Sequence, residues 1–277
     1  MTPGIDLHTH TNASDGAMTP EELVALAAER DVRVLGITDH DTTDAIEPAL
    51  SAAARQGLLL IPGVEISTHH QAGELHVLGY GIDLGNAELQ VLLARSRGSR
   101  IQRAQRMLEL LGSMGMPIPW KRVSALAGDG TVGRPHIAAA LLEAGHVSSI
   151  QDAFERYLGA ACPAYVPREK IGPCAAIAAI HAAGGVAALA HPADHLAVVA
   201  ELVACGLDGL EAHYTGYPPE VTARIVELAA AQGLFCTGGS DFHGEAIIPE
   251  NLLGAVNVPT SCYEALESAL ARATAGR

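Results

Sequence analysis

Aromatic residues are scarce in this 277-residue chain: three Phe, one Trp and six Tyr make up 4% of it, against a hydrophobic content of 49%. A core must therefore be filled with Ala, Val, Leu and Ile, which suits a sheet covered by helices. Cations are also few. Seventeen Lys and Arg face 31 Asp and Glu, for a net charge of −14. That excludes broad, non-specific binding of long nucleic acid, which needs a cationic face. It leaves room for a small anionic ligand held by metal ions. The five cysteines show no C-x-x-C pairing, so separate buried thiols in a reducing compartment are expected. No apolar run is long and uninterrupted enough to span a membrane. The first residues lead almost directly into a strand, with no basic stretch ahead of an apolar one, so the expectation is a cytoplasmic protein without a signal peptide. The length allows one large α/β domain or a barrel with a smaller insert.

What the chain does have is concentrated early, in Asp6-Leu7-His8-Thr9-His10-Thr11-Asn12-Ala13-Ser14-Asp15-Gly16. Ile5 and Leu7 read as the end of a short strand. Side chains on extended backbone repeat every two residues, so His8 and His10 point to one side and can share a cation. Asp15 follows on a loop that Gly16 can turn sharply. Alone, such a pair is a weak signal, because neutral histidines often sit in strands as ordinary hydrogen-bonded residues.

The rest of the chain alternates. Thr19 and Pro20 open a helix as N-cap and first residue, with Glu21 and Glu22 complementing its dipole. A strand from Val32 ends at Thr38-Asp39-His40-Asp41. A helix over about 44–56 stops at Gly57. Leu58 to Ile61 and Val64 lead to Glu65, and a strand over 75–82 carries His76 near its start. Between about 86 and 163 the pattern turns helical, with Gly and Pro breaks. Arg95, Arg97, Arg100, Arg103, Arg106, Lys121, Arg122 and Arg134 lie there, opposed between 95 and 134 only by Glu109 and Asp129. Most of these read as a solvated helix face. Alternation then resumes, with strands ending at His191, at Glu211 and His213, and at Asp241 and His243. Val256 and Val258 suggest a last strand before a terminal helix.

Strands alternating with helices imply a parallel sheet, closed or nearly closed into a barrel, with chemistry at the C-terminal strand ends. His8, His10, Asp39, His40, Glu65, His191, Asp241 and His243 fall at such ends or just beyond. His76, at a strand start, is the exception. Imidazoles and carboxylates without a cysteine suit Zn²⁺, Mn²⁺ or Fe²⁺.

These residues also carry a family resemblance. DLHTHTNASDG, ITDHDT, GVEIS, LHVLGYGID, ALAHP and GSDFHG, in that order, resemble the successive motifs of PHP-domain phosphoesterases, named for polymerase and histidinol phosphatase. The resemblance implies an α/β fold, a distorted (β/α)₇ barrel built from 1–85 and 164–277. It makes 86–163 an all-helical insert covering the active site. Within the family, the helical insert resembles the subgroup of 3′,5′-nucleoside bisphosphate phosphatases and 5′→3′ exoribonucleases of short RNA.

Carried over residue by residue, His8, His10, Glu65 and Asp241 would hold one ion. Glu65 would bridge to a second, held also by His76 and His191. Asp15, His40 and His243 would hold a third, and Asp39 would orient a ligand histidine from behind. Two or three divalent ions, Mn, Zn or Fe, are thus implied. The nucleophile would be metal-bound hydroxide, with no catalytic side chain assigned. GRPHIA suggests that Arg134 and His136 contact substrate phosphate, and Lys170 is a further candidate. The implied activity is hydrolysis of a phosphate ester of a small nucleotide, a 3′,5′-nucleoside bisphosphate foremost. An exoribonuclease on short RNA, a non-catalytic PHP scaffold and an amidohydrolase on a related barrel are the alternatives. Glu211 and His213 face the site with a supporting or substrate role open to them.

Overall fold

The computed structural model describes residues 4–128, 132–167 and 171–275. Seven strands form one sheet in chain order: β1 (Gly4–Asp6), β2 (Val32–Ile37), β3 (Leu59–His70), β4 (Gly73–Tyr80), β5 (Val186–Leu189), β6 (Gly209–Tyr214) and β7 (Phe235–Gly239). The sheet is not purely parallel as the alternation suggested. β4 runs antiparallel to both β3 and β5. The reason lies in the β3–β4 link, where only Gln71 and Ala72 separate the paired His70 and Gly73. A parallel return needs a crossover of a dozen residues or more, so this short link permits only a hairpin. The reversal also explains His76. The start of β4 lies at the same end of the sheet as the finish of its neighbours.

The ring closes just past the named strands. Leu7 N–H donates to Gly238 O at 3.1 Å, Asp241 N–H to His8 O at 2.9 Å, and His10 N–H to Phe242 O at 2.9 Å. Asp6 reinforces this seam: its fully buried carboxylate accepts the Ser240 N–H at 2.9 Å, the Ser240 hydroxyl at 2.6 Å and the Gly254 N–H at 2.8 Å. Gly239 makes the approach possible, since a Cβ there would collide with the His8 backbone nitrogen and the Asp6 carboxylate. Closure leaves no free edge, and residues 256–258 form no strand. Val258 instead packs in the core against Leu266.

Helices cover the ring. α1 (Pro20–Glu29) starts in a capping box: Glu22 N–H donates to Thr19 Oγ1, and Thr19 N–H donates to the Glu22 carboxylate. It buries Leu23, Val24 and Ala27. α2 (Ile46–Gln56) ends at Gly57, which takes φ +64°. α3 (Ala87–Ser113) starts with Leu89 and Leu93 in the barrel core beside Val64 and Ile66. Further along, Ala104, Met107 and Leu111 join a separate core with Val123, Ile137 and Leu141. That second core holds α4 (Trp120–Ala127), α5 (Arg134–Glu143) and α6 (Ile150–Ala153), the last running into a π-helical turn, Phe154–Leu158. The compact units divide at 94 and 170, later than the 86 and 163 read from sequence, because the first turns of α3 pack with the barrel.

The barrel continues with α7 (Pro173–Ala182), α8 (Val199–Ala204), α9 (Pro219–Gln232) and α10 (Thr260–Ala275). The expectation of five separate thiols fails here. Cys174, in the first turn of α7, is disulfide-bonded to Cys205, just after α8, while Cys162, Cys236 and Cys262 are free. Their separation of 31 residues hides the pair from any short-spacing rule, and the α7–β5–α8 fold brings their Cα atoms to 5.2 Å. Among the described residues no helix is long and apolar enough to cross a membrane.

Candidate metal centre

His8 and His10 leave β1 fully buried, with their Nε2 atoms 3.1 Å apart. Glu65, from the middle of β3, and Asp241, just past β7, complete this group. Glu65 Oε2 lies 3.4 Å from His8 Nε2 and 3.2 Å from His10 Nε2. Asp241 Oδ1 lies 3.3 and 3.0 Å from the same two atoms. The other Glu65 oxygen, Oε1, reaches His76 Nδ1 at 2.8 Å and His191 Nε2 at 3.4 Å. Asp15 sits among histidines, with Oδ1 3.3 Å from His243 Nε2 and Oδ2 3.8 Å from His40 Nε2.

Three sets of donors each fall within 4.8 Å of one another: His8–His10–Glu65–Asp241, His10–Asp15–His40–His243 and His40–Glu65–His76. The first matches the grouping drawn from the family resemblance. The second adds His10 to Asp15, His40 and His243. In the third, His40 stands where His191 was expected, with its Nδ1 3.0 Å from Glu65 Oε2. His10 and His40 thus each face two groups.

The fit to divalent cations rests on buried atoms whose neighbours are other donors. Asp15 Oδ1, His40 Nδ1 and Glu65 Oε2 are buried and make no well-directed hydrogen bond, and their near neighbours are other candidate donors: His40 Nδ1 and Glu65 Oε2 lie 3.0 Å apart, and Asp15 Oδ1 lies 3.3 Å from His243 Nε2. Leaving such atoms unsatisfied is costly, and each points into a cluster of imidazole and carboxylate donors. That donor set, free of thiolate, is the kind that holds Zn²⁺, Mn²⁺ or Fe²⁺.

Electrostatics point the same way. Burial works against charge on His8, but the Glu211, Asp241 and Glu65 carboxylates outweigh it and hold His8 protonated well above the usual histidine range. Burial is likewise outweighed at His10, raised to about 10 by Asp241 and Glu65, and at His76, raised to about 9 by Glu65 and Glu74. At His40 burial wins, lowering it to about 4. The Asp15, Glu65 and Asp241 carboxyls sit well below the ordinary range despite burial, because histidine rings surround them. With no cation, protons serve as the counter-charge to these carboxylates. A divalent ion would displace them.

Strain collects at the same place. Four non-glycine residues among those described have positive φ, and three of them, Asp41, His191 and Asp241, lie at strand ends around the centre. Asp39 lies behind the ligand loop. Its carboxylate accepts the Thr11 N–H and hydroxyl, each at 2.7 Å, and the Ser14 hydroxyl. Ser14 Oγ also lies 3.5 Å from His10 Nδ1, so Asp39 reaches a ligand histidine through the loop that carries Asp15.

β6 holds what the sequence reading placed only loosely. Glu211 is fully buried; its Oε1 lies 2.9 Å from His8 Nδ1 and its Oε2 accepts the His191 N–H at 2.7 Å. The register to β7 slips by one residue between Glu211 and His213. This bulge turns Tyr214 inward instead of His213. The Tyr214 hydroxyl donates to Asp241 Oδ2 at 2.8 Å, and its ring meets His191 edge-on. His213 is partly exposed, and burial lowers its pKa. A strand-end carboxylate was visible in the sequence at Glu211, but nothing there announces the bulge.

The substrate candidates lie in the helical unit. The Arg134 guanidinium stacks 5.6 Å from the Phe154 ring centre, and His136 Nδ1 accepts the Gly133 N–H at the start of α5. Arg134 lines a small cavity with Arg100, Arg103 and Gly133. Arg100 and Arg103 are only 5% and 7% exposed, so they do not belong to a solvated face. The Arg103 Nε–H donates to Val166 O at 2.6 Å. Lys170 lies outside the described residues. Of the remaining histidines, His69 and His70 end β3, and His181 pairs with Asp208 at 2.7 Å.

Comparison with known proteins gives this centre its context. Residues 6–118 match the PHP domain family. The 5′-3′ exoribonuclease Rnm of Escherichia coli is 40% identical over 86% of this chain and 84% of its own length. The chain belongs to the PHP family. A 3′,5′-nucleoside bisphosphate phosphatase of Chromobacterium violaceum is 32% identical to this PHP protein, over 86% of the chain and 87% of its own. A crystal structure of a Bifidobacterium adolescentis protein, named as a metal-dependent phosphoesterase, superposes with a TM-score of 0.86 at 35% identity, covering 96% of each chain.

Proposed function

We propose that this PHP protein is a metal-dependent hydrolase of phosphate esters, acting on a nucleotide that carries phosphate on both its 5′ and 3′ sides. The observation that carries this reading is the convergence of histidines and carboxylates from separate strand ends, with Asp15 Oδ1, His40 Nδ1 and Glu65 Oε2 buried among other donors and without a well-directed hydrogen bond. His8, His10, Glu65 and Asp241 would hold one cation. His76 and His191 would hold another with Glu65, and Asp15, His40 and His243 a third. Bound cations supply Lewis acidity, which acidifies water and neutralises charge building on phosphoryl oxygens.

The chain's own groups do the rest. Glu65 spends both carboxylate oxygens on different clusters and so fixes the spacing between them. Asp39, through Thr11 and Ser14, holds the loop that delivers Asp15. No serine or cysteine nucleophile is required, and the free thiol of Cys262 is buried in the core, away from these groups.

Two substrates share the doubly phosphorylated unit. One is a free 3′,5′-nucleoside bisphosphate. The other is the first residue of a short 5′-phosphorylated RNA, whose 3′ phosphate continues the chain. The higher identity to exoribonuclease Rnm favours the RNA substrate as a second reading of the same site. Arg134 and His136 are the substrate-phosphate candidates on both readings. Incubating Mn²⁺-loaded protein with each substrate separates them: free phosphate from the bisphosphate supports the first, and a ladder of mononucleotides from RNA supports the second. No hydrolysis of either, with metal bound, would reject the proposal in favour of a silent scaffold. Release of an amine or acid from amide substrates would favour the amidohydrolase alternative.

A further inference from the structure

β6 contributes none of the candidate ligands, yet it touches ligands on three other strands. Glu211 faces His8 from β1 with one oxygen and the His191 backbone after β5 with the other. Tyr214 faces Asp241 after β7. We propose that Glu211 and Tyr214 are positioning residues, a bracket on β6 that sets how His8, His191 and Asp241 present their donor atoms to a cation. The inference rests on the metal-centre reading above.

The geometry defines each contact. His8 can offer Nε2 to a cation only if the proton of its neutral ring sits on Nδ1. Glu211 Oε1, 2.9 Å from Nδ1, accepts a hydrogen bond there and can donate none, so it selects that tautomer. His191 takes φ 30° and ψ 57°, a left-handed backbone that ordinary side chains avoid. Its N–H is fixed by Glu211 Oε2 at 2.7 Å, which holds the ring over Glu65 in spite of the strain. Asp241 also has positive φ, at 52°. The Tyr214 hydroxyl occupies its Oδ2 and leaves Oδ1 toward His8 and His10.

The bulge is what allows both contacts from one strand. In a regular strand, Glu211 and His213 would share a face and Tyr214 would point away. The one-residue slip between Glu211 and His213 brings Tyr214 round. Glutamine at position 211 cannot reproduce the bracket. Its amide has one acceptor oxygen, whereas His8 Nδ1–H and His191 N–H both need one. Its NH₂ group would either oppose the His191 N–H or stabilise the wrong tautomer of His8.

The test uses the full-length protein and Zn²⁺ as probe. Zn²⁺ affinity is measured by competition with a chromophoric chelator, and thermal unfolding is followed in EDTA as a control for folding. Glu211→Gln should weaken Zn²⁺ binding about 10- to 100-fold, the range for residues that orient metal ligands. Tyr214→Phe should weaken it by about tenfold or less, since only one ligand loses its partner. Histidine ¹⁵N spectra of Zn²⁺-loaded wild type should show His8 protonated on Nδ1 in slow exchange, and Glu211→Gln should lose that signal. The spectrum of wild type stands even if the glutamine variant does not fold. A His8 protonated on Nε2 would overturn the inference, as would a folded Glu211→Gln that binds Zn²⁺ within about twofold of wild type. Wild-type protein that binds no Zn²⁺ at all would overturn the metal-centre reading, and this inference with it.

Discussion

The barrel end and the helical unit both bury charged groups, and they treat them oppositely. At the barrel end, histidines and carboxylates lie against one another, as at His40 Nδ1 and Glu65 Oε2, 3.0 Å apart. In the helical unit the charged groups lie against neutral partners: buried Arg103 against the Val166 carbonyl and Tyr165 ring, and half-buried Arg134 against the Phe154 ring. A helix can bury arginine by laying its stem along apolar neighbours and giving its head a carbonyl or an aromatic face. The barrel end offers its donors no such neutral resolution. What buried charge says about function thus depends on whether local packing satisfies it.

Glu65→Gln should disturb that contrast most, because one carboxylate serves His8, His10, His40, His76 and His191. Losing several kcal/mol of transition-state charge stabilisation should reduce turnover by about 10³-fold, with bound metal falling as well. Normal metal content by elemental analysis together with normal turnover would remove Glu65 from the centre.

Removing the cations comes next. At about a thousand times Kd, bound metal stabilises by about 4 kcal/mol, so EDTA should lower the melting temperature clearly. The size of that gap should depend on pH. In metal-free protein, raised His10 and His76 stabilise fully below the unfolded histidine pKa of about 6.5. Their contribution is lost as pH rises through their folded values of about 9 and 10. His40, lowered to about 4, acts in reverse: its contribution is present above about 6.5 and lost as pH falls toward its folded value. Melts with Mn²⁺ and with EDTA at several pH values should therefore show a gap that widens from neutral toward alkaline pH. A gap that stays constant would mean that no protons are exchanged for metal.

The helical unit is probed more gently. A phosphate contact is worth about 1.5–3 kcal/mol, so Arg134→Ala should cut kcat/KM for a bisphosphate by about 10- to 100-fold. It should cost a simple aryl phosphate much less, and metal content should not change. Equal losses on both substrates would assign Arg134 to the reacting phosphate instead of a second one. No loss on either would leave it a packing residue beside Phe154. The smallest effect concerns neither region. Thr19→Ala removes the α1 cap at a cost of about 1 kcal/mol, or about 2 °C in melting temperature, with activity unchanged. A melting curve identical to wild type would show that the cap adds nothing.

Much of the barrel end was legible because strand periodicity and chain order carry it. His8 and His10 share a side by the two-residue repeat, and Thr19, Pro20 and Gly57 mark helix boundaries by local chemistry. The missing pieces depend on partners distant in sequence. The direction of β4 follows from a two-residue link, Gln71 and Ala72, that alternation alone does not mark as a hairpin. The Cys174–Cys205 bond joins residues that only the α7–β5–α8 arrangement brings together. Tyr214 replaced His213 because a strand slipped by one residue, which no periodicity reveals. Among the basic residues of the helical unit, Arg95, Arg106, Lys121 and Arg122 are exposed as expected, but Arg100 and Arg103 are buried, because a helical charge run does not say which side of a helix packs.

The seam between β1 and β7 bears on how the protein is made. Asp6 waits for Ser240 and Gly254, and His8 waits for Asp241. As the chain leaves the ribosome, its first histidines emerge long before the residues that complete their cluster. The growing polypeptide can assemble β1 to β4 early, but its metal-binding end stays open until β7 and Asp241 have been synthesised. Cation capture by the full His8–His10–Glu65–Asp241 set is therefore a late event in the protein's biogenesis, and a nascent chain stalled before residue 240 would present both imidazoles without Asp241.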